Sequence, residues 1–185
     1  KKRALLSQYF SDILLRDVFD KYKIEATQQF RALAAYILSN SGLKISKNKL
    51  AKELGIDQKT AEKYLSYLID SYLIFEVPFF SYSAKTKYVA GRTSKYYAQD
   101  NGIVAALSPK EDKGRLFETI VAIALHNTTS GGIYYWAGKK EVDFVAANTA
   151  YQASLTTVET EAFEELQKAF KQINKAVIIT QKNIG

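Results

Sequence analysis

The first forty residues carry apolar side chains every three or four positions, the spacing that places them on one face of an α-helix. Two stretches follow this pattern, residues 3–24 and residues 27–40. Their apolar stripes consist of Leu6, Phe10, Ile13, Leu14 and Val18, and of Phe30, Leu33, Ala34, Ile37 and Leu38. Thr27 is a candidate N-cap of the second stretch, and Ser41 and Gly42 end it. The pattern therefore predicts two amphipathic helices.

Residues 46 to 70 have the signals of two further helices joined by a tight turn. Ser46 can cap a short helix at Lys47–Leu54, because its side-chain oxygen can accept a backbone N–H of the first turn. Gly55 can take the left-handed conformation that ends this helix, and Asp57 can cap a longer one at Gln58–Asp70. The predicted shared core consists of Leu50, Leu54, Ala61, Leu65 and Leu68. This order of elements predicts a helix-turn-helix.

Strand-like runs at residues 73–77 and 79–83 follow the helix pair, and a strand pair in this place forms the wing of a winged helix. In a DNA-bound helix-turn-helix the second helix lies in the major groove, led by its N-terminal residues. The residues predicted to contact nucleic acid are Lys47, Gln58, Lys59, Thr60 and Lys63. Winged helices also serve as protein-interaction modules, and Glu62 adds a negative charge to the same helix, so both uses stay open.

The polar and basic stretch 84–95 predicts a linker or the tip of the wing. It divides the chain into a helical, winged-helix-like domain at 1–93 and a second domain at 94–185. The elements predicted for the second domain are a strand at 95–99, a helical turn at 103–107, a helix at 115–127, strands at 133–136, 141–147 and 150–155, a helix at 161–170 and a strand at 175–180. This order indicates an α/β domain with a mixed sheet, within a chain of α+β class overall.

Three polar residues of the second domain are candidates for a catalytic site. Glu118 lies in the predicted helix, Asp143 interrupts an apolar strand, and Gln152 lies in the next strand. Two carboxylates, here those of Glu118 and Asp143, can hold Mg²⁺ or Mn²⁺ together with a backbone carbonyl, and such an ion can activate water for phosphodiester cleavage. Strand alternation also places polar side chains on a solvent face. A metal site and an outward-facing carboxylate therefore both stay open.

Composition removes several other kinds of chemistry. Of 185 residues, 47% are hydrophobic and 24% are charged, which is typical of a folded domain. The chain has no Cys and a single His, His126, so disulfides and a zinc site are not expected. His126 fits a charge at a helix C-terminus. No glycine-rich stretch has the spacing of a phosphate-binding P-loop, so ATP is not expected to bind here.

The sequence also bears on location and completeness. No apolar stretch approaches the roughly 20 residues that span a bilayer, and the basic start lacks the apolar run of a signal peptide. A cytoplasmic location without a membrane partner is the expectation. Met is absent, even at position 1, which predicts that the chain is part of a longer protein.

The net charge of +7 is concentrated in the first half of the chain. Residues 1–100 contain 17 Lys and Arg against 10 Asp and Glu, and residues 101–185 contain 9 of each. An excess of this kind favours a polyanionic partner such as DNA. A solvated, lysine-rich surface is the alternative.

Several short motifs occur in a fixed order along nearly the whole chain. They are Arg16-Asp17, Phe80-Ser81-Tyr82-Ser83, Lys95-Tyr96-Tyr97-Ala98, Asp100-Asn101-Gly102, Gly114-Arg115-Leu116-Phe117-Glu118, Tyr134-Tyr135-Trp136 and Glu141-Val142-Asp143-Phe144-Val145. With them the chain resembles the C-terminal region of a large family of bacterial and archaeal AAA-type ATPases, a region classed as a domain of unknown function. The resemblance implies that a P-loop ATPase domain, which binds ATP, precedes this region and is its partner.

The resemblance also implies a winged helix followed by a fold similar to the PD-(D/E)XK nucleases. By position, Glu118 would be the helix carboxylate, Asp143 the metal-binding aspartate, and Gln152 the first residue of the (D/E/Q)-x-K element. Two residues after Gln152 stands Ser154, where the family pattern has lysine. Lys139 or Lys140 can replace that lysine only if the hairpin between the strands folds over the site.

These observations give one leading expectation and two alternatives. The leading one is a regulatory or nucleic-acid-binding module of an ATPase, without turnover of its own and without a cofactor of its own. The first alternative is an active Mg²⁺- or Mn²⁺-dependent nuclease built on Glu118, Asp143 and Gln152. The second is a protein-interaction scaffold that binds a partner through the aromatic residues 134–136.

Overall fold

The computed structural model describes residues 2–81, 93–108, 110, 112–156 and 160–181. It shows an α+β protein with two compact units. Unit 1 comprises Lys1–Glu76 and Lys95–Asp112, and unit 2 comprises Val77–Ser94 and Lys113–Gly185. Most of the predicted linker at 84–95, with Lys85, Lys87 and Arg92, lies outside the described residues.

Unit 1 is mainly helical, with a small sheet. Its elements are α1 (Lys2–Ile13), a π-helical segment (Leu14–Phe19), α2 (Asp20–Tyr22), α3 (Thr27–Ser39), β1 (Lys44–Ile45), α4 (Lys47–Leu54), α5 (Gln58–Asp70), β2 (Ile74–Val77), β3 (Ser94–Ala98) and α6 (Asn101–Leu107). The three strands form a sheet in the order β1-β3-β2. A strand that is distant in sequence therefore fills the centre of this sheet.

The caps predicted for α4 and α5 are confirmed. The Ser46 hydroxyl accepts the N–H of Lys49 at 3.3 Å, and the Asp57 carboxylate accepts the N–H of Thr60 at 2.9 Å. Gly55 closes α4 with a φ of 65°, in the left-handed region that favours glycine. Gly55 and the Asp57 cap thus define the two ends of the turn between the helices, and Ser46 defines the start of α4.

Aromatic and aliphatic side chains of α3 and α5 form the core of unit 1. Phe30 is fully buried and meets Phe19 and Tyr64 edge to face, with ring centroids 5.6 Å and 4.9 Å away. Other fully buried residues of unit 1 include Leu14, Val18, Leu33, Ala34, Leu38 and Leu68. Most of the stripe positions predicted from helical spacing are therefore core positions.

Two local predictions in the first half are wrong. Thr27 is not an N-cap, because it is already the first residue of α3, and Ala26 precedes it without a side-chain cap. The described part of the run 79–83 does not form a second wing strand. Phe79 makes only an isolated bridge to Tyr135, and β3 is the strand that joins β2 in the sheet.

Unit 2 is built on a four-stranded mixed sheet. Its elements are α7 (Lys113–Thr128), β4 (Tyr134–Ala137), β5 (Glu141–Ala146), β6 (Thr149–Ala153), α8 (Glu161–Ala169) and β7 (Lys175–Ile179). The sheet order is β4-β5-β6-β7, with the first two pairs antiparallel and β6–β7 parallel. The predicted order of elements and the mixed sheet are confirmed, and both α7 and α8 pack against β5.

The division of the chain differs from the expected boundary between residues 93 and 94. β3 and α6 belong to unit 1, because β3 completes the sheet of that unit and α6 packs against α1. Arg3 strengthens this packing by donating from Nε to the carbonyl of Ala106 at 2.8 Å and from Nη2 to that of Ser108 at 2.6 Å. Position along the sequence therefore does not separate the two units.

Among the described helices, none has the length and apolarity that a membrane span requires. The 16-residue α7 is shorter than the roughly 20 residues needed to cross the hydrocarbon core.

Candidate functional sites

The predicted nucleic-acid contacts lie on α4 and at the start of α5. Gln58, Lys59 and Lys63 are exposed, whereas Thr60 and Lys47 are half-buried. The buried residues of α5, which include Ala61, Leu65 and Leu68, lie on the opposite side of the helix. Packing against the core of unit 1 therefore leaves Gln58, Lys59 and Lys63 on one exposed face.

Two of these side chains already have partners within unit 1. Gln58 donates its side-chain amide to Glu62 at 2.9 Å, and Thr60 donates its hydroxyl to Asp57 at 2.5 Å. The side chains of Lys59 and Lys47 form no ion pair or hydrogen bond with the described residues. The lysine side chains are therefore available to bind a phosphate. Gln58 must break its hydrogen bond to Glu62 before its amide can bond to a base.

The Asp57 carboxylate is held in its charged form. The hydroxyl and the backbone N–H of Thr60 both donate to it and lower its pKa below the ordinary value. Glu62 adds a second carboxylate to this region of α5. A phosphate that approaches the start of the helix therefore meets Lys59 beside two negative charges, which lowers its net attraction.

A pair of tyrosines extends the exposed face and was not predicted from the sequence. The rings of Tyr22 and Tyr67 stack with centroids 3.7 Å apart. The Lys63 ammonium lies 5.8 Å from the centroid of Tyr67, and that of Lys21 lies 4.8 Å from the centroid of Tyr22. The four-residue spacing of Lys63 and Tyr67 on α5 is a signal of a helix. The partner ring, Tyr22, lies 45 positions before Tyr67, and no local pattern in the sequence indicates that the two rings stack.

In unit 2 the structure brings Asp143 and Gln152 together. Asp143 is 7% exposed, and its Oδ2 accepts the N–H of Ala153 at 2.9 Å. The side-chain oxygen of Gln152 accepts the N–H of Asp143 at 3.4 Å. The antiparallel pairing of β5 with β6 runs only as far as Phe144 and Tyr151. These side chains therefore continue the hydrogen bonding where the backbone ladder stops.

The remaining candidates for a catalytic site are less well placed. Glu118 is half-buried on α7, which packs against β5 and β6. Lys140 pairs with Glu161 at 2.8 Å, and the backbone N–H of Lys139 donates to the Glu165 carboxylate at 3.0 Å. The hairpin between β4 and β5 is thus bonded to α8. Across the described ranges, no group of three or more His, Cys, Asp and Glu side chains could hold a metal ion.

The aromatic residues 134–136 do not form the exposed surface that a scaffold would need. Tyr135 is 3% exposed and Trp136 is 6% exposed. Tyr134 is half-buried and packs edge to face with Phe80. Tyr135 and Trp136 therefore belong to the core of unit 2, and the expected exposed aromatic surface is not found at these described residues.

By its fold, the chain is an α+β protein with one unit that is mainly helical and one unit that is built on a mixed sheet. The chain belongs to the family of a domain of unknown function, DUF8612, which matches residues 1–114. The match ends two residues after Asp112, the last residue of unit 1. The family boundary and the boundary of the compact unit therefore nearly coincide.

Two relatives are similar along almost the entire chain. An uncharacterized protein of Methanocaldococcus jannaschii is 30% identical over 203 residues, which cover 100% of this chain and 45% of the relative. An uncharacterized protein of Haemophilus influenzae is 24% identical over 190 residues, which cover 93% of this chain and 46% of the relative. The chain thus spans less than half the length of both relatives. No solved structure matches it.

Proposed function

We propose that this chain is a nucleic-acid-binding module of a larger protein and that α4 and α5 carry the contact. The observation that supports this most strongly is the order of elements in unit 1, α3-β1-α4-α5-β2-β3, with the sheet order β1-β3-β2. A three-stranded sheet beside a capped helix-turn-helix is the arrangement of a winged helix. DNA-binding proteins with a helix-turn-helix place its second helix in the major groove.

The charges near α5 define the kind of contact. Lys59 and Lys47 have no partner among the described residues, and Lys63 is exposed, so all three can bind phosphate. Gln58 is engaged with Glu62, and this pairing disfavours a base-specific contact by its amide. The proposed interaction is therefore dominated by phosphate, which makes it sensitive to salt and weakly selective for sequence.

The direct test is fluorescence anisotropy of a labelled DNA duplex with the full chain, in EDTA, across a range of salt concentrations. Replacing Lys59 and Lys63 together by Ala should reduce the slope of log affinity against log salt by about 2, because each phosphate contact contributes roughly 0.9. The matched control replaces Lys171 and Lys175, which are exposed in unit 2. Equal losses in both double variants would contradict the assignment to α5.

The wider protein is proposed to be an ATPase of the AAA type. The relatives are more than twice as long as the part of them that this chain matches, which leaves room for a nucleotide-binding domain. The ordered motifs described above support the same proposal. ATP hydrolysis by a full-length relative, with loss on substitution of its P-loop lysine, is the expected result.

A second candidate function is metal-dependent cleavage of nucleic acid by unit 2. The element order α7-β4-β5-β6-α8-β7 and the proximity of Asp143 and Gln152 favour it. Ser154 in place of the family lysine, and the pairing of Lys140 with Glu161, oppose it. We therefore expect no Mg²⁺- or Mn²⁺-dependent cleavage. Cleavage that disappears in Asp143→Asn, a substitution that keeps the shape of the side chain, would instead establish the nuclease.

A further inference from the structure

Unit 1 contains an open cleft of about 480 Å³ that the proposed DNA contact does not use. One wall is formed by α1 and the π-helical segment, and the other by the turn after α5. The residues that matter for its chemistry are Tyr9, Asp12, Arg16, Asp17, Ser71 and Tyr72. We call it the α1 cleft. Arg16, Asp17, Ser71 and Tyr72 also line an adjoining hollow of about 330 Å³.

The turn after α5 is held in an unfavourable arrangement. Tyr72 has a φ of 55°, in the left-handed region that costs energy for any residue with a side chain, yet its ring is 80% exposed. The hydroxyl of the preceding Ser71 is buried and has no hydrogen-bond partner in the part of the chain that the structure describes. Strained backbone and unsatisfied buried polar groups occur preferentially at functional sites. Both features occur at adjacent positions here.

The opposite wall has its own irregularity. The helix changes from α to π geometry at Leu14–Phe19, and π-helical turns are frequent at functional sites. This segment carries Arg16 and Asp17, whose side chains form no ion pair or hydrogen bond with the described residues. Just before it, α1 exposes 54% of Tyr9 and 53% of Leu5. Arg16, Asp17 and the exposed ring of Tyr9 thus line the same cleft, and Lys21 of the adjoining hollow interacts electrostatically with Asp17.

The charge of the α1 cleft is opposite to that of the rest of the first half. Asp12, Asp17 and Asp100 outnumber Arg16 in its walls. Among the described residues, Asp12 and Asp100 accept only from uncharged donors, the Gln8 amide and the Ile103 backbone N–H. The cleft therefore repels phosphate and attracts a cation, while its tyrosines offer an apolar surface.

We propose that the α1 cleft docks a basic polypeptide segment of a partner protein. A Lys or Arg of that segment pairs with Asp17, and a neighbouring aliphatic side chain packs between Tyr9 and Tyr72. The Ser71 hydroxyl gains its missing partner from the backbone of the segment. This site is separate in chemistry from the phosphate contacts proposed for α5.

The test measures anisotropy of a short fluorescein-labelled peptide rich in Arg and Leu, titrated with the full chain to about 1 mM. A peptide in which Glu replaces Arg is the charge control. The variants are Asp17→Lys, its matched control Glu25→Lys outside the cleft, and Tyr72→Gly. Glycine adopts positive φ without strain, so Tyr72→Gly should unfold at the same or a higher temperature and report on the ring alone.

The expected result is saturable binding of the Arg peptide that weakens at least tenfold in Asp17→Lys and in Tyr72→Gly but not in Glu25→Lys. Binding of DNA should be unchanged in Tyr72→Gly, and binding of the peptide should be unchanged when Lys59 and Lys63 are replaced. No peptide binding, equal binding of the Glu peptide, or equal binding by all variants would overturn the proposal. Concentration-dependent dimerisation that Tyr72→Gly abolishes would also overturn it, because a second copy would then be the occupant.

Discussion

Gly138, in the hairpin between β4 and β5, lies where a methyl group has no room. A Cβ at this position would come within 2.5 Å of both the Trp136 ring and the Glu165 carboxylate. We expect Gly138→Ala to lower the free energy of unfolding by about 1–3 kcal/mol, the usual cost of overpacking. Gly131→Ala is the matched control, because a Cβ there meets nothing within 4 Å. Urea unfolding of both variants measures their free energies of unfolding. Equal values would show that the hairpin can shift to make room for the methyl group.

Asp57 should make the stability of unit 1 depend on acid pH. Its folded-state pKa is lowered by the hydroxyl and the N–H of Thr60, so its contribution is present above the ordinary Asp pKa of about 3.9. That contribution is lost as the pH falls through the lower, folded-state pKa. Thermal unfolding followed from pH 6 downward should show a steeper loss in the parent than in Asp57→Asn. If the unfolding temperatures of the parent and of Asp57→Asn fall in parallel with pH, the stabilisation by the cap does not depend on the charge of Asp57.

Residues whose role is local could be predicted from the sequence, and residues whose role depends on a distant partner could not. The caps at Ser46 and Asp57 each involve a backbone N–H three positions away. The contact between Asp143 and Ala153, in contrast, depends on where the pairing of β5 with β6 ends. The choice between a metal ligand and an outward-facing carboxylate missed this third possibility, a buried carboxylate bonded to a neighbouring strand.

At the scale of elements, the stacked tyrosines tie α2 to α5. Tyr22 and Tyr67 stack at 3.7 Å, and the Tyr22 hydroxyl also donates to Asp70 at 3.2 Å. Replacing each tyrosine by Leu, singly and together, should give a coupling free energy of about 0.5–1.5 kcal/mol, the value typical of aromatic pairs. Chemical unfolding of the four proteins of the cycle supplies this number. If the losses of unfolding free energy in the two single variants add up to that of the double variant, the stacked rings contribute buried apolar area but no specific interaction.

Elements with strong periodicity or local caps were predicted almost to the residue, and the exceptions have physical causes. α4 and α5 begin and end at the predicted residues; side-chain caps define both starts, and Gly55 defines the end of α4. The run 79–83 has the composition of a strand, but β3 occupies the place beside β2 in the sheet. The single amphipathic helix predicted at 3–24 contains a π-helical segment that no hydrophobic pattern signals.

At the scale of the whole molecule, unit 1 should require residues up to Asp112 to fold. Residues 1–93 lack all of β3 and all of α6, and therefore also the acceptors of Arg3. We expect a fragment of residues 1–112 to unfold cooperatively with heat, and a fragment of residues 1–93 to show no such transition. Circular dichroism distinguishes the two outcomes. Cooperative unfolding of the shorter fragment would show that β3 is dispensable.

Composition showed that the first half of the chain is basic. It could not show which residues of the chain belong to which of the two units. The boundary at 93/94 followed from a polar, basic stretch, which is a reasonable sign of a linker. β3 nevertheless returns to the centre of the first sheet, and only the pairing of strands reveals this return. The α1 cleft escaped prediction for the same reason, because its walls come from segments about 55 residues apart.

The central position of β3 has a consequence for how the chain is made. A ribosome releases residues in order, so α3, α4 and α5 emerge while the middle of their sheet is still missing. The edges of β1 and β2 that pair with β3 in the finished sheet therefore stay unpaired until residue 98 has left the exit tunnel. Exposed strand edges of this kind invite pairing with other chains. The interval between the synthesis of β2 and that of β3 is therefore the period in which nascent chains are most exposed to aggregation.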